Sequence, residues 1–261
     1  MKYTERPLNI FWIRGFAFFA FLFISTFGGS RASAQLSDTT RPASHGIVQG
    51  GWVADYETVK KGSFRITFYV DKHRKDSSGV GLRMHSYDQT IDGMLKEFNG
   101  LSREQVTGRN EKIRFDVSRE AGLFKCDGAF ANGAGTGTWT FYPKQGFVAG
   151  LEYLGYQNLN DEEMALAGID LLSLDFITEL AQAGYRHPVY ADLLRASSAG
   201  VDSTYIDEIR SAGYESPTLG DLITARVSGV DKEFIRQEQA RGAKGATLRE
   251  IAKLRRVTSD R

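Results

Sequence analysis

FITELAQAGY, residues 176–185, is the stretch that decides the fold of the second half of this chain, because its pattern returns along the sequence. The same apolar and glycine positions recur at 147–156 and 205–214, and in a degraded form at 234–243. The glycines of successive copies are each 29 residues apart. A fixed period of this size is typical of stacked short structural repeats. It indicates an architecture and does not point to a reaction.

Each copy begins with the pattern of a short helix. Apolar residues fall at positions i, i+1, i+4 and i+7, which form one face of an α-helix. Ser173, Asp202 and Asp231 stand three residues before the aromatic residue, where each can accept a hydrogen bond from the first turn. The glycine ends the helix, and the next residue, Tyr185 in the second copy, is predicted to pair with Leu180 in a Schellman motif.

A second helix follows in each copy, opened by residues that resemble capping boxes. These are Asn160 with Glu163, Thr218 with Asp221, and Thr247 with Glu250, whereas the second copy has Val189 instead. Each unit is therefore predicted to be a helix, a glycine turn and a second helix. We expect four such copies in a helical repeat domain over residues 144–261.

One unit cannot be stable by itself, because short helices are marginal in water and neighbouring copies must bury the apolar faces. In the last copy Glu238 and Arg241 replace apolar positions, so its outer face is predicted to be polar. The residues singled out are therefore structural repeat positions: Gly155, Tyr156, Gly184, Tyr185, Gly213, Tyr214 and Gly242.

The first 34 residues have the composition of a secretory signal peptide. Lys2, Arg6 and Arg14 form a basic region, residues 16–27 are mostly apolar, and residues 32–34 (ASA) match a cleavage site. We expect export to the periplasm or medium after cleavage near Ala34. An uncleaved membrane anchor is the alternative, and it is the only membrane contact expected from this segment. The polar residues 35–45 are predicted to be a disordered leader.

The charge of the chain does not favour nucleic acid as a partner, but its uneven distribution is compatible with docking to another charged partner. Without residues 1–34 the chain carries 29 basic and 31 acidic residues, so nothing global favours nucleic acid. Residues 151–230 carry a net charge of −9, and residues 232–261 carry +5. This asymmetry indicates either a docking polarity or two solvated faces. Contact between the basic residues 249–261 and an anionic lipid or polysaccharide is a further, weaker hypothesis.

Residues 46–143 show a period of two, which is typical of half-buried antiparallel strands. Phe64, Ile66, Phe68 and Val70 alternate with other residues in one such run. Residues 76–79 predict a turn, 132–133 (Asn-Gly) predict a hairpin, and 102–105 predict a helical turn. We expect an α+β chain in two domains: an antiparallel β-sandwich or open barrel, then a short α-solenoid of helix–turn–helix repeats.

No catalytic, cofactor-binding or metal-binding residue is predicted. Cys126 is the one cysteine, so no intramolecular disulfide is possible, and its place on a strand face indicates a buried small side chain. The glycines at 133–137 precede a strand and not a helix, so they predict a hairpin and no phosphate site. The histidines, which have no metal-ligand spacing, are His45, His73, His85 and His187.

Two motifs carry a resemblance to known proteins. The first is Gly-Val-Asp-x-x-aromatic-Ile followed by Gly-Tyr, at 200–214 and, with Ala243 for the tyrosine, at 229–243. The second is the strand region from 115–124 through 135–141. The chain resembles uncharacterised exported bacterial proteins, and its repeats are similar to those appended to some membrane sensor-type metallopeptidases. The resemblance implies an architecture but no catalytic residues, and Leu171 departs from it where a loop glycine is expected.

Two functions from different classes follow as hypotheses. The first is an exported, non-enzymatic interaction protein whose helical-repeat surface binds a protein or peptide partner, with no cofactor. The alternative is an envelope enzyme or small-ligand-binding protein with its site in the β domain. In that case a cavity lined by Trp52, Trp139 or Tyr56 is expected.

Overall fold

The structure is a computed structural model that describes residues 48–56, 62–71, 82–109 and 111–259. The predicted signal segment at 1–34, the leader at 35–45 and the turn at 76–79 lie outside these residues. In the described part of the chain, no helix combines the length and apolar character needed to cross a membrane.

The first part of the chain forms one antiparallel sheet that curls into a half-barrel. The strands are β1 (Val48–Tyr56), β2 (Ser63–Asp71), β3 (Leu82–Thr90), β4 (Phe98–Asn99), β5 (Glu111–Ser118), β6 (Gly122–Ala131) and β7 (Ala134–Pro143). Their order in the sheet is β3-β2-β1-β7-β6-β5-β4, and every neighbouring pair is antiparallel. Of the two arrangements left open by the sequence, the described strands adopt the open barrel.

Helices make up the second part of the chain, and two short helices interrupt the strands before it. The short ones are α1 (Ile91–Glu97) and α2 (Arg103–Thr107). The chain is therefore α+β, as the sequence predicts. The later helices are α3 (Gln145–Tyr153), α4 (Asp161–Ile169), α5 (Leu174–Gln182), α6 (Tyr190–Ala199), α7 (Ser203–Ser211), α8 (Leu219–Val227), α9 (Lys232–Ala240) and α10 (Leu248–Ser259).

The hairpin between β6 and β7 is the one that the sequence predicts. Asn132 has φ +52° and Gly133 has φ +88°, and a two-residue turn of this kind requires positive φ at both central residues. Register then follows along the pair, so that Cys126 lies opposite Trp139. The predicted helical turn is also confirmed, since Ser102 and Gln105 form a complete capping box at the start of α2.

Aromatic side chains fill the concave side of the half-barrel. Trp52 and Trp139 are 0% and 1% exposed, and the centroids of Trp52 and Phe130 are 5.5 Å apart. Glycines on the neighbouring strands make room for these rings. A Cβ at Gly137 would lie 2.1 Å from the carbonyl oxygen of Asp127 and 2.6 Å from the indole of Trp52. The interior is therefore packed by large rings that need glycine opposite them.

Helix α4 connects the helical region to the sheet. Every residue from Met164 to Ile169 is buried, because the helix contacts β1, β6 and β7. A Cβ at Gly168 would lie 2.7 Å from the ring of Phe124 and 3.3 Å from that of Phe141. The absence of a side chain at this position lets the helix backbone come close to the aromatic interior.

The helix starts follow the sequence closely. Ser173, Asp202 and Asp231 each accept a hydrogen bond from the backbone N–H three residues later, at 3.1, 2.8 and 2.7 Å. Leu171, which stands where Gly200 and Gly229 stand in later copies, adopts the same left-handed backbone, with φ +56°. The loop therefore keeps the same backbone with leucine in place of glycine, at the cost of some backbone strain.

We predict that Gly137→Ala lowers the free energy of unfolding by about 1–3 kcal/mol, because the new methyl group would overlap a backbone oxygen. Gly146→Ala is the matched control, since nothing lies within 4 Å of a Cβ at that position in α3. It should leave stability unchanged or raise it by up to about 1 kcal/mol. Urea unfolding measures both, and equal effects would contradict the packing described for Trp52.

Candidate functional site

The candidate functional site is the row of turns that join the two helices of each unit, here called the glycine–tyrosine corners. In the first three corners the glycines have φ of +92°, +99° and +103°, and Gly242 has +112°. In the second corner, the N–H of Tyr185 donates to the carbonyl of Leu180 at 2.9 Å, and that of Gly184 to Ala181 at 3.1 Å. These are the two bonds of the Schellman motif predicted for this residue pair.

In the three corners that have a tyrosine, its hydroxyl reaches the next corner along the chain. Tyr156 donates to the carbonyl of Pro188 at 3.1 Å, and Tyr185 to that of Pro217 at 2.8 Å. Tyr214 donates to the carbonyl of Ala246 at 2.8 Å. In all three cases the acceptor lies 32 residues ahead. The sequence predicts only the helix-ending role of these tyrosines, so the hydroxyl bond is a second role that sequence reasoning missed.

Two further contacts recur between the helices, and both were missed from the sequence. Arg210 donates to the carbonyl of Ala183 at 2.6 Å, and Gln239 to that of Ala212 at 3.3 Å. The guanidinium of Arg226 lies 4.7 Å from the ring centroid of Tyr205, and that of Arg255 lies 4.8 Å from that of Phe234. Arg210 and Gln239 are 29 residues apart, and so are Arg226 and Arg255. The recurrence of arginine at 226 and 255 is a sequence signal that could have identified the stacked pair.

The last copy corrects one expectation. Glu238 was predicted to lie on a polar outer face, but it is only 7% exposed and occupies the buried place of Ile209 in the previous copy. Its carboxylate accepts a hydrogen bond from Arg241 at 2.6 Å. The helix still ends with the backbone hydrogen bond of the earlier copies, because the N–H of Ala243 donates to the carbonyl of Glu238 at 2.9 Å. A charged residue is tolerated here because Arg241 pairs with it from the surface.

The paired acidic residues of the second helices perform the capping role that the sequence predicts. Glu163 accepts from the backbone N–H of Asn160 at 2.8 Å, and Glu250 from that of Thr247 at 2.7 Å. The hydrogen bonds that Glu250 accepts from the backbone and the side chain of Thr247 lower the pKa of Glu250. Their geometry accounts for these carboxylates without any acid–base chemistry.

Burial controls the titration of the corner tyrosines. It raises the pKa of Tyr156, Tyr185 and Tyr214 above the ordinary value for a phenol, although Arg210 acts in the opposite direction on Tyr185. The hydroxyls therefore stay protonated and able to donate at physiological pH.

The half-barrel has a packed interior around the residues that the sequence predicts to line a cavity. The indole N–H of Trp139 donates to the carbonyl of Gly51 at 2.9 Å. Trp52 is different, since its Nε1 is the only buried side-chain nitrogen or oxygen in the described residues without a hydrogen-bond partner. Tyr56 is half-buried and accepts from Arg103 at 3.4 Å. The two indoles thus pack inside the half-barrel and do not line its mouth.

Other residues weighed for chemistry have structural surroundings. Cys126 is 2% exposed, and burial raises the pKa of its thiol, which keeps it protonated. Within the described residues, no three or more His, Cys, Asp or Glu side chains are grouped so that they could hold a metal ion. His45 and His73 lie outside the described residues, and of the other two only the side chain of His187 is described.

Comparisons of the chain with models of protein families, with curated proteins and with solved structures find no match. The resemblance carried by the repeat and strand motifs remains an expectation.

We predict that Tyr185→Phe lowers the free energy of unfolding by about 1 kcal/mol, because it removes a hydrogen bond between two corners and keeps the ring. Tyr153→Phe is the matched control, since Tyr153 is 91% exposed, and it should change stability by less than about 0.5 kcal/mol. Denaturant unfolding gives both values. Equal effects would mean that the hydroxyl bond between corners does not contribute.

Tyr205 gives a prediction for alkaline pH. Burial raises the pKa of this phenol, and its hydroxyl donates to the carbonyl of Val230 at 3.0 Å. The folded chain therefore keeps the proton at a pH where the unfolded chain begins to lose it, which is about 10. The stability that Tyr205 contributes is fully present below that pH and is lost as pH rises above it.

The measurement compares urea unfolding of the native chain and of Tyr205→Phe between pH 7 and pH 11. Phenylalanine is the residue found at the equivalent place in the other copies, for example Phe234, so the variant is expected to fold. The free energy of unfolding of the native chain minus that of the variant should be constant below about pH 9. Above about pH 10 this difference should decrease, because the native chain loses stability that the variant does not lose. A difference that is the same at both ends of this range would contradict the effect of burial.

Proposed function

We propose that this chain is an exported, non-enzymatic interaction protein, and that a four-copy helical repeat domain over residues 144–261 binds a protein or peptide partner. The observation that supports this most directly is the tyrosine hydroxyl bond, which recurs with the same 32-residue spacing in three corners. Recurrent contacts of this kind hold successive units in a repeated geometry, as in an α-solenoid. Such proteins use extended surfaces for binding.

A preset surface favours binding because little freedom remains to be lost on association. The corner backbones and the side chains that cross between units are already hydrogen-bonded in the free chain. Arg210, for example, is fixed by the carbonyl of Ala183 and lies 5.9 Å from the ring centroid of Tyr185. A partner would meet a surface that needs little reorganisation.

Charge supports a basic partner for the middle units. Glu179 and Glu208 occupy equivalent places in consecutive copies, 29 residues apart, and both are exposed. They belong to the stretch 151–230, whose net charge is −9. A field of one sign accelerates association with the opposite charge and makes it sensitive to salt. A positively charged peptide segment therefore fits this surface best.

Export is supported by the composition of residues 1–34 alone. A chain with a single buried cysteine is compatible with an oxidising compartment, because Cys126 can neither form an internal disulfide nor reach a partner thiol. Within this proposal, the functional protein is the chain after cleavage near Ala34.

A ligand site within the β domain is the second candidate, and one observation favours it. The unpartnered Nε1 of the fully buried Trp52 is a hydrogen-bond donor that a small polar molecule could satisfy. Once residues 1–34 are removed, Trp52 and Trp139 are the only tryptophans in the chain. Tryptophan fluorescence of the mature chain, titrated with small-molecule fractions of an envelope extract, tests this candidate. A spectrum that no fraction changes would remove it.

The binding proposal predicts that Glu179→Lys combined with Glu208→Lys weakens partner capture at least about tenfold at low salt, because two favourable charges become unfavourable. The matched control reverses two exposed charges on the sheet, Glu111→Lys with Asp127→Lys. Full-length mature chain is immobilised, and envelope proteins are cross-linked to it and quantified for each variant.

The control should retain capture, and the native signal should fall as salt is raised. Two results would contradict the proposal. One is capture that the sheet variant loses and the helix variant keeps, which would move the site to the β domain. The other is the absence of any partner whose capture either variant changes.

A further inference from the structure

Position 187 and its equivalents distinguish the three corners. His187 stands at this position in the first corner, and Ser216 and Gly245 follow at intervals of 29 residues. In the first corner the imidazole of His187 is stacked on the ring of Tyr156, with centroids 4.6 Å apart and an interplanar angle of 11°. Its Nε2 lies 2.3 Å from where a Cβ on Gly155 would be. The space beside this glycine and tyrosine is therefore filled by a planar nitrogen-containing ring.

The second corner receives a planar group from another residue. Ser216 is too short to stack, and the guanidinium of Arg210 lies 5.9 Å from the ring centroid of Tyr185. The same guanidinium donates to the carbonyl of Ala183, the C-cap residue of α5. Its Nη2 lies 4.0 Å from the position of a Cβ on Gly184. A planar cation thus lies near the glycine and tyrosine of this corner as well.

In the part of the chain that the structure describes, the tyrosine of the third corner has no ring or cation against it. The group at the place of Arg210 is the uncharged amide of Gln239, which donates to the carbonyl of Ala212 at 3.3 Å. Gly245 replaces the histidine, and Gln239, 29 residues after Arg210, has no positive charge. Nothing lies within 4 Å of a Cβ on Gly213, and no described ring or cation contacts the ring of Tyr214. A surface depression of about 300 Å³ borders this tyrosine and is also lined by Ser216, Thr218 and Asp221.

Electrostatics at this corner favour a cation. The corner lies at the C-terminal end of α7, where the helix dipole places partial negative charge on free carbonyl groups. Glu250 is near enough to add to the effect of burial in raising the pKa of Tyr214. Glu215, which directly follows the tyrosine, is exposed and adds a negative charge. The charge of Asp221, which lines the depression, is already balanced by Arg249 at 2.5 Å, so it does not add to this attraction. The first two corners show that planar nitrogen groups fit against the same backbone.

We propose that the corner formed by Gly213, Tyr214 and Gly245 binds the guanidinium group of an arginine side chain presented by a partner peptide. This rests on the proposed function and specifies the chemistry of the partner at one point. Arginine fits because its flat guanidinium stacks on an aromatic face and donates several hydrogen bonds in fixed directions. The hydroxyl of Ser216 lines the depression and can accept a hydrogen bond from the guanidinium. The hydroxyl of Thr218, which also lines it, is already bonded to Asp221.

The test uses the full mature chain and three short peptides that differ in one residue: acetyl-Gly-Arg-Gly-amide, and the same peptide with lysine or with citrulline. Citrulline has nearly the shape of arginine without its charge, and lysine has the charge without the plane. Backbone amide resonances of Gly213 and Gly245 are followed by NMR during titration. The arginine peptide should shift both in a saturable way, and each of the other peptides should bind at least about fivefold more weakly.

Two variants use the chain's own corners as templates. Gly245→His introduces the residue that fills the first corner, where His187 also has positive φ, +54°, and it should abolish the shifts at Gly213. His187→Gly opens the first corner and should add a second arginine site near Gly155, raising the stoichiometry from one to two. Tyr214→Leu removes the aromatic face and provides the loss-of-binding variant if Gly245→His does not fold.

Several results would overturn this inference. They are the absence of saturable shifts at Gly213 with the arginine peptide, equal affinity for the lysine peptide, or shifts that survive both Gly245→His and Tyr214→Leu. Shifts at Gly213 that grow with protein concentration without any peptide would instead identify a second copy of this chain as the occupant. Envelope capture that depends on Glu179 and Glu208 but not on Gly245 would leave the proposed function standing while this site falls.

Discussion

The bond from a tyrosine hydroxyl to a carbonyl 32 residues ahead is the interaction on which the arrangement of the helices depends. The glycine before the tyrosine sets the direction of the ring, because only a left-handed backbone at that point turns the chain toward the next unit. The hydroxyl then fixes where the next corner lies. The backbone of one glycine–tyrosine pair thus determines how two consecutive units are placed relative to each other.

The packing at the two ends of the helical region differs for a physical reason. At one end, the residues of α4 from Met164 to Ile169 are buried, because the helix lies against β1, β6 and β7 of the sheet. At the other end, α10 has exposed apolar residues such as Leu254 and Val257, which no described helix covers. The sheet thus covers the first unit. The buried Glu238, paired with Arg241, shows that a cost in desolvation is tolerated in the last one.

Features governed by backbone geometry could be predicted from the sequence, and features governed by packing could not. Asn132–Gly133 and the Gly184–Tyr185 ending were predictable, because positive φ restricts the residue type strongly. The burial of Glu238 was not, because a neighbouring arginine in space decides it. The inward packing of Trp52 was also unpredictable, since the glycine at 137 that makes room for it lies on another part of the chain. His187 was considered only as a metal ligand, and its stacking on Tyr156 depends on the fold.

Repetition with one position varied is the basis on which we propose a specific site on a regular scaffold. The backbone hydrogen bonds of the corner are the same in the three copies, and His187 and Gly245 share a left-handed backbone, with φ +54° and +85°, that Ser216 does not adopt. In the first corner, His187 stacks on Tyr156. In the second, where Ser216 is too short to stack, Arg210 lies near Tyr185. In the third, where the residue is Gly245, no described ring or cation covers Tyr214. The first and third corners share a left-handed backbone at positions 187 and 245, and they differ in the side chain that this backbone carries. That difference is the physical basis for the recognition proposed at the third corner.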